Sequence, residues 1–147
     1  MNGRFTFRLQ KVLEYREERE KAAQSKLAGA LNSLKESLEE LSCLKDELLE
    51  VYNGQKTESG GGFDLNGRLL CSLYADYLTG CISSKEQTVQ EKEAEVLRER
   101  RQLESKMLER KILSRLKEKK RIAFNLENKL NEQKMNDEFA ITGFARR

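Results

Sequence analysis

No histidine occurs among the 147 residues, so the side chain that most often moves protons near neutral pH is missing. Three cysteines, Cys43, Cys71 and Cys81, are scattered without a C-x-x-C pair. That is a poor donor set for zinc, and Cys71 and Cys81 read more simply as small apolar filler. Three thiols cannot all pair within one chain, which suits a reducing compartment. Gly60-Gly61-Gly62-Phe63 is not followed by Gly-Lys-Ser or Gly-Lys-Thr, so it is no phosphate-cradling loop. Carboxylates are abundant, but no pair stands out from the glutamates that cover any exposed helix. These residues point to no enzyme and imply no cofactor, no metal and no small-molecule substrate.

Two other groupings could bind. Residues 98–121 carry eleven Lys or Arg and four Glu. A basic helical hairpin can hold RNA through its phosphates. Against nucleic acid, the run holds no aromatic residue for base stacking, and glutamates interrupt it. The plain reading is a solvated helix face. The second grouping is the Leu/Tyr-rich segment 65–78. Either it folds against Leu48, Leu49 and Tyr52, or it exceeds what a thin body can cover and forms a docking patch.

The elements that would position these groups are helices. Charged residues are 36% of the chain and proline is absent, a mixture that favours long helices over sheets. Residues 5–52 read as one helix, capped by Thr6. Within it Leu27, Leu31, Leu34, Leu38 and Leu41 follow the 4-3-4-3 rhythm of a coiled-coil seam. After Leu41 the rhythm slips to Leu44 and Leu48, a stammer-like shift. Nearer the start, the segment from Tyr15 to Glu20 interrupts the stripe with charge. It is either a solvated patch or a contact point for another protein.

Residues 53–63, polar and glycine-rich, read as a flexible loop. A short tip helix over 64–79 follows, with Asp64 as its cap and Gly80 as its stop. Ser83 and Glu86 fit a capping box that opens a long helix over 83–140, although one kinked helix from 64 onward is an alternative. Residues 141–147 read as a tail. In the long helix Ile82, Val89, Val96 and Leu103 recur at sevens, and Ile112, Leu116, Ala123, Leu126 and Leu130 continue the seam. The expected fold is all-α: one domain, a long antiparallel two-helix coiled coil with a short helix and Gly-rich loop at its tip. Flush termini would set Leu9 and Leu13 near Leu126 and Leu130. No apolar run of membrane-spanning length occurs. The first residues lack a signal peptide's apolar core, so a cytoplasmic location is expected.

One stretch is too particular for a generic heptad. Phe5-x-Phe7-Arg8-Leu9-Gln10-Lys11-Val12-Leu13-x-Tyr15-Arg16-Glu17, with Glu20, Ala22 and Ala23 after it, resembles the opening signature of the flagellar export protein FliJ family. Glu132-Gln133-Lys134-Met135-Asn136-Asp137-Glu138 resembles that family's closing segment. Total length and the helix–loop–helix layout also fit.

The resemblance implies a non-catalytic stalk and chaperone component of the flagellar type III export apparatus. Such a protein sits in the cytoplasm, peripheral to the inner membrane at the flagellar base. The implied partners are the export ATPase FliI, the export gate protein FlhA and export chaperones. Carried onto this chain, the ATPase-facing end is the paired termini, with Arg8, Lys11, Arg16, Arg19, Asp137 and Glu138. The gate- and chaperone-facing patch surrounds the loop, with Leu48, Tyr52, Leu73, Tyr74 and Tyr77. From the residues alone, a generic coiled-coil adaptor or secretion chaperone, or a basic hairpin binding RNA, stands as the alternative.

Overall fold

The computed structural model describes residues 3–58 and 64–146. It holds two helices, α1 (Gln10–Glu58) and α2 (Leu65–Ala145), of 49 and 81 residues. They pack against each other as an all-α helical hairpin coiled coil, with no strand among the described residues. The chain divides into two compact units. One comprises Met1–Ala22 and Glu104–Arg147, the other Ala23–Leu103.

In the unit 23–103 the inward positions of α1 are Ala23, Leu27, Ala30, Leu34, Ser37, Leu41, Leu44 and Leu48. This is an uninterrupted alternation of threes and fours, and it corrects the expected seam. Leu31 and Leu38 flank the interface at 39% and 43% exposure, while Ala30 and Ser37 sit inside it at 8% and 3%. The apparent stammer after Leu41 vanishes with that change. On α2 the inward positions Cys71, Ala75, Leu78, Ile82, Lys85, Val89, Lys92, Val96, Glu99 and Leu103 keep the same alternation. The ion pairs of Lys85 with Glu40 and Lys45 with Glu86, and the hydrogen bond from Lys92 to Ser33, set an antiparallel register. In that register Ser37 faces Val89 and Ala30 faces Val96. Small residues on one helix thus accept branched ones on the other, which lets the backbones approach.

Helix α2 does not stop at Gly80. The expected short helix 64–79 is the first part of α2, and the expected loop shortens because residues 53–58 are helical. Residues 59–63 lie outside the described residues. The seam explains the continuity. Leu78, 2% exposed, and Ile82 straddle Gly80, and their burial outweighs the roughly 1 kcal/mol that a helical glycine costs. Glu86 reaches across to Lys45 at 3.2 Å instead of back to Ser83, so the capping box does not form. Asp64 stands just before α2, and its backbone carbonyl accepts from Arg68 N–H at 3.1 Å. Its Oδ2 lies 2.7 Å from where a Cβ on Gly67 would sit, so glycine leaves room for that carboxylate. Helix α2 also continues through residues 141–145, which had read as a tail.

In the other unit, α1 begins at Gln10, whose N–H donates to the Phe7 carbonyl at 3.1 Å. Thr6 is therefore not the cap. Phe7 is buried, and the Phe5 ring packs on Phe124 at 5.6 Å between centroids. These apolar contacts hold the residues before α1 across α2 in a non-helical lead. The flush register is also corrected. Arg16 pairs with Glu109 and Arg110 with Glu20. Flush ends would instead have set Arg16 beside Ala123, near the like charge of Arg121. Half-buried charges need opposite partners, and that requirement decides the register. The α2 seam here is Lys106, Arg110, Leu113, Lys117 and Phe124. Ile112, Ala123, Leu126 and Leu130, expected in it, are exposed, and Leu116 is half-buried. Beyond Asn128 every described residue of α2 is exposed.

Candidate functional site

The chain-end unit holds the first set of candidate residues. Arg8 and Lys11 are exposed where the non-helical lead turns into α1. Arg16 is half-buried and tied to Glu109, whose carboxylate Lys106 also approaches at 3.8 Å. That hydrogen bond from Arg16 holds the Glu109 carboxyl below its ordinary range. Arg19 places its guanidinium 5.1 Å from the centre of the Tyr15 ring, a cation–π contact that keeps the charge at the surface. Asp137 and Glu138 are exposed on α2. Phe5 meets Phe124, so Asp137 projects about 20 Å of helix beyond that contact. The structure therefore gathers Arg8, Lys11, Arg16 and Arg19 into one region but does not bring the acidic pair to it.

The segment from Tyr15 to Glu20 is neither simply solvated nor simply open to a partner. Glu20 is 8% exposed and accepts from the Arg110 Nε. Arg16 and Glu20 thus build a polar layer within the seam, while Arg19 faces outward. Polar layers of this kind restrict register at some cost in stability.

The second set lies in the unit 23–103, near the loop. Leu48 is half-buried in the seam; Tyr52, Leu73, Tyr74 and Tyr77 are exposed. The Tyr74 hydroxyl donates to Glu47 Oε1, which pushes its pKa up. Its ring stacks on Tyr77 at 6.3 Å and 22°. The Tyr77 hydroxyl is also pushed up, first by its hydrogen bond with the Cys81 thiol. Tyr77, Gly80, Cys81 and Lys85 on α2 face Glu40 and Leu44 on α1 across an open groove of about 610 Å³. Lys85 holds the Glu40 carboxyl below its ordinary value by hydrogen bond and charge.

Of the two readings of segment 65–78, the structure takes Ala75 and Leu78 into the seam and leaves most of the rest outside. Leu65, Leu69, Leu70 and Leu73 are each more than half exposed. With Tyr52, Tyr74 and Tyr77 they form an apolar, hydroxyl-bearing patch larger than isolated surface leucines would make. Leu65, Leu69 and Leu70 belong to that surface as much as Tyr52, Leu73, Tyr74 and Tyr77 do, whereas Leu48, half-buried in the seam, does not. The signal was the small residue Ala75, which marks the inward side and turns the leucines out.

Among the described residues no group of three histidine, cysteine or acidic side chains could hold a metal ion, and no helix is long and apolar enough to cross a membrane. One unit thus presents exposed cations interleaved with glutamates, and the other presents an apolar patch with tyrosine hydroxyls. Compared with known proteins, residues 5–147 match the family model described as Flagellar FliJ protein. No curated protein and no solved structure matches the chain.

Proposed function

Because this chain belongs to the FliJ family, non-catalytic components of flagellar protein export, we propose that it is a stalk and chaperone that links the export ATPase to the export gate and to export chaperones. The observation that carries this is the family match over residues 5–147. The fold supports it, since exposed cations and an exposed apolar patch fall in separate units of a hairpin.

The ATPase FliI docks on Arg8, Lys11 and Arg19. Arg16 helps indirectly, because its bond to Glu109 fixes the turn of α1 that presents the others. Asp137 and Glu138 make a separate contact farther along α2. Charged side chains that stay hydrated give fast, salt-sensitive association rather than a locked complex, which suits a component that must turn or exchange. The gate FlhA and the chaperones dock on Leu73, Tyr74 and Tyr77 with Tyr52, while Leu48 supports them from the seam. Aromatic and leucine side chains supply most of the energy in such contacts. The protein acts in the cytoplasm, peripheral to the inner membrane at the flagellar base.

The test is capture from cell extract with the chain as bait. The parent retains ATPase and gate. Arg8→Glu with Lys11→Glu loses the ATPase alone, and Leu73→Ala with Tyr77→Ala loses the gate alone. All four positions are exposed, so the fold survives both pairs of changes. If both variants hold both partners as the parent does, the assignment of the two surfaces is wrong. If deletion of the chain leaves motility intact, the export role itself fails.

A further inference from the structure

Helix α2 carries a second apolar stripe, opposite the one that meets α1. Leu108, Ile112, Ile122, Leu126, Leu130 and Phe144 are 51 to 84% exposed. Leu126 lies two residues from the inward Phe124, about 200° around the helix, so the two faces do not compete. From Leu108 to Phe144 the positions advance by four, three, four, three and four to Leu126, and then by four, three, four, three and four again. The mean advance is about 3.6 residues, so the stripe runs straight along one side. It also reads the same from either end about Leu126.

That symmetry is one of chemistry as well as spacing. Antiparallel pairing with an identical helix, with Leu126 on the two-fold axis, sets Leu108 against Phe144 and Ile112 against Ala140. Ile122 meets Leu130, and Lys119 meets Gln133. The remaining position sets Arg115 against Asp137, and neither makes an ion pair within the chain among the described residues. Parallel pairing would instead oppose Arg115 to Arg115 and Asp137 to Asp137. The flanks agree. Residues 106–121 carry eight basic and two acidic side chains, and residues 131–146, which would lie across from them, carry two basic and three acidic. One patch that is complementary to itself under a two-fold is the requirement for an isologous dimer.

We propose that the chain self-associates through this outer face of α2, residues 108–144, as an antiparallel two-fold pair. The occupant of the stripe is a second copy. The paired length is about 54 Å, with Arg115 and Asp137 fixing direction as polar pairs do in coiled coils. The pair covers Asp137, one of the positions assigned to the ATPase. Dimer and ATPase contact at that point therefore exclude each other. This exclusion rests on the proposed function; the self-association does not.

Sedimentation of the purified full chain tests it without any partner, so its failure leaves the export reading untouched. The parent shifts from monomer to dimer between about 1 and 100 μM. Arg115→Asp and Asp137→Arg each weaken the dimer by about tenfold or more, and the two together restore it. In a chain with Cys43, Cys71 and Cys81 changed to serine, Leu126→Cys oxidises to a covalent dimer. Ile112→Cys alone does not, and Ile112→Cys with Ala140→Cys does. A parent that stays monomeric throughout, a double reversal that fails to restore pairing, or cross-linking by Ile112→Cys alone each overturns the proposal. Ile112, Arg115, Leu126, Asp137 and Ala140 are exposed, Cys71 and Cys81 are half-buried, and an unchanged helical circular dichroism spectrum confirms the fold of each variant.

Discussion

Leu78→Ala and Leu73→Ala lie five residues apart on α2 and should behave in opposite ways. Leu78 is 2% exposed and Leu73 is 58% exposed. Truncation to alanine removes three carbons, worth roughly 0.8 kcal/mol each when fully buried. For Leu78 that is about 2.4 kcal/mol, and the void left in a two-helix seam raises it to about 3 kcal/mol. For Leu73, less than half of the side chain is out of water, so the loss is about 1 kcal/mol. In a chain of this size each kcal/mol moves the midpoint by roughly 2–4 °C. The helical circular dichroism signal of Leu78→Ala should therefore melt about 6–12 °C below the parent, and that of Leu73→Ala about 2–4 °C below. The order reverses in partner capture at low temperature, where Leu73→Ala loses the gate and Leu78→Ala keeps it. If Leu73→Ala costs as much stability as Leu78→Ala, the inward and outward faces of this segment have been exchanged and the docking patch does not exist.

Arg110→Ala should destabilise by about 2–3 kcal/mol, because Glu20 is left nearly buried without its cation; Glu20→Leu with Arg110→Met should cost far less, measured by urea unfolding of the single and double variants. Ser37→Leu should destabilise by about 1–3 kcal/mol although leucine is the better helix former, since the position is closed. Leu38→Ser should cost less than Ser37→Leu, and the reverse order would reinstate the rhythm through Leu38. The pH dependence has a definite sign. Glu40 and Glu109 are held below their ordinary 4.5 by Lys85 and Arg16, so they stabilise the folded state above about pH 4.5. That contribution disappears as pH falls through their lowered values. Unfolding of Lys85→Gln with Arg16→Gln should be less sensitive to pH across that acidic window, and an unchanged acid slope would deny the two pairs any role.

The sequence disclosed the hairpin readily because its evidence is repeated. Absence of proline, the glycine-rich break before Asp64 and the sevens from Ile82 to Leu103 all point the same way. It misled where large residues draw attention from small ones. Leu31 and Leu38 look like seam residues, yet Ala30 and Ser37 occupy those places because the facing valines need room. Register was hidden for a related reason. Apolar residues near both ends invited alignment with each other, while the deciding demand came from Arg16 and Glu20, whose partners lie ninety or more residues away. Gly80 read as a stop because local propensity says so, and long-range burial of Leu78 overrode it. Of the candidate site, the cations from Arg8 to Arg19 and the tyrosines near the loop were legible by type. Their exposure was not, because exposure depends on which face the partner helix covers.

The free end of α2 has an energetic consequence of its own. An isolated helix in water gains little from its own hydrogen bonds, and this stretch carries poor helix formers at Asn131, Asn136 and Gly143. Whatever grips it must also supply the ordering of its backbone, so its helicity and its affinity rise together. Asn131→Ala, at a position no partner need touch, should strengthen helicity by about 0.5 kcal/mol and tighten any complex at that end by about twofold. In the proposed two-fold pair, this end is thus a dial for binding strength, set by residues that never meet the second copy.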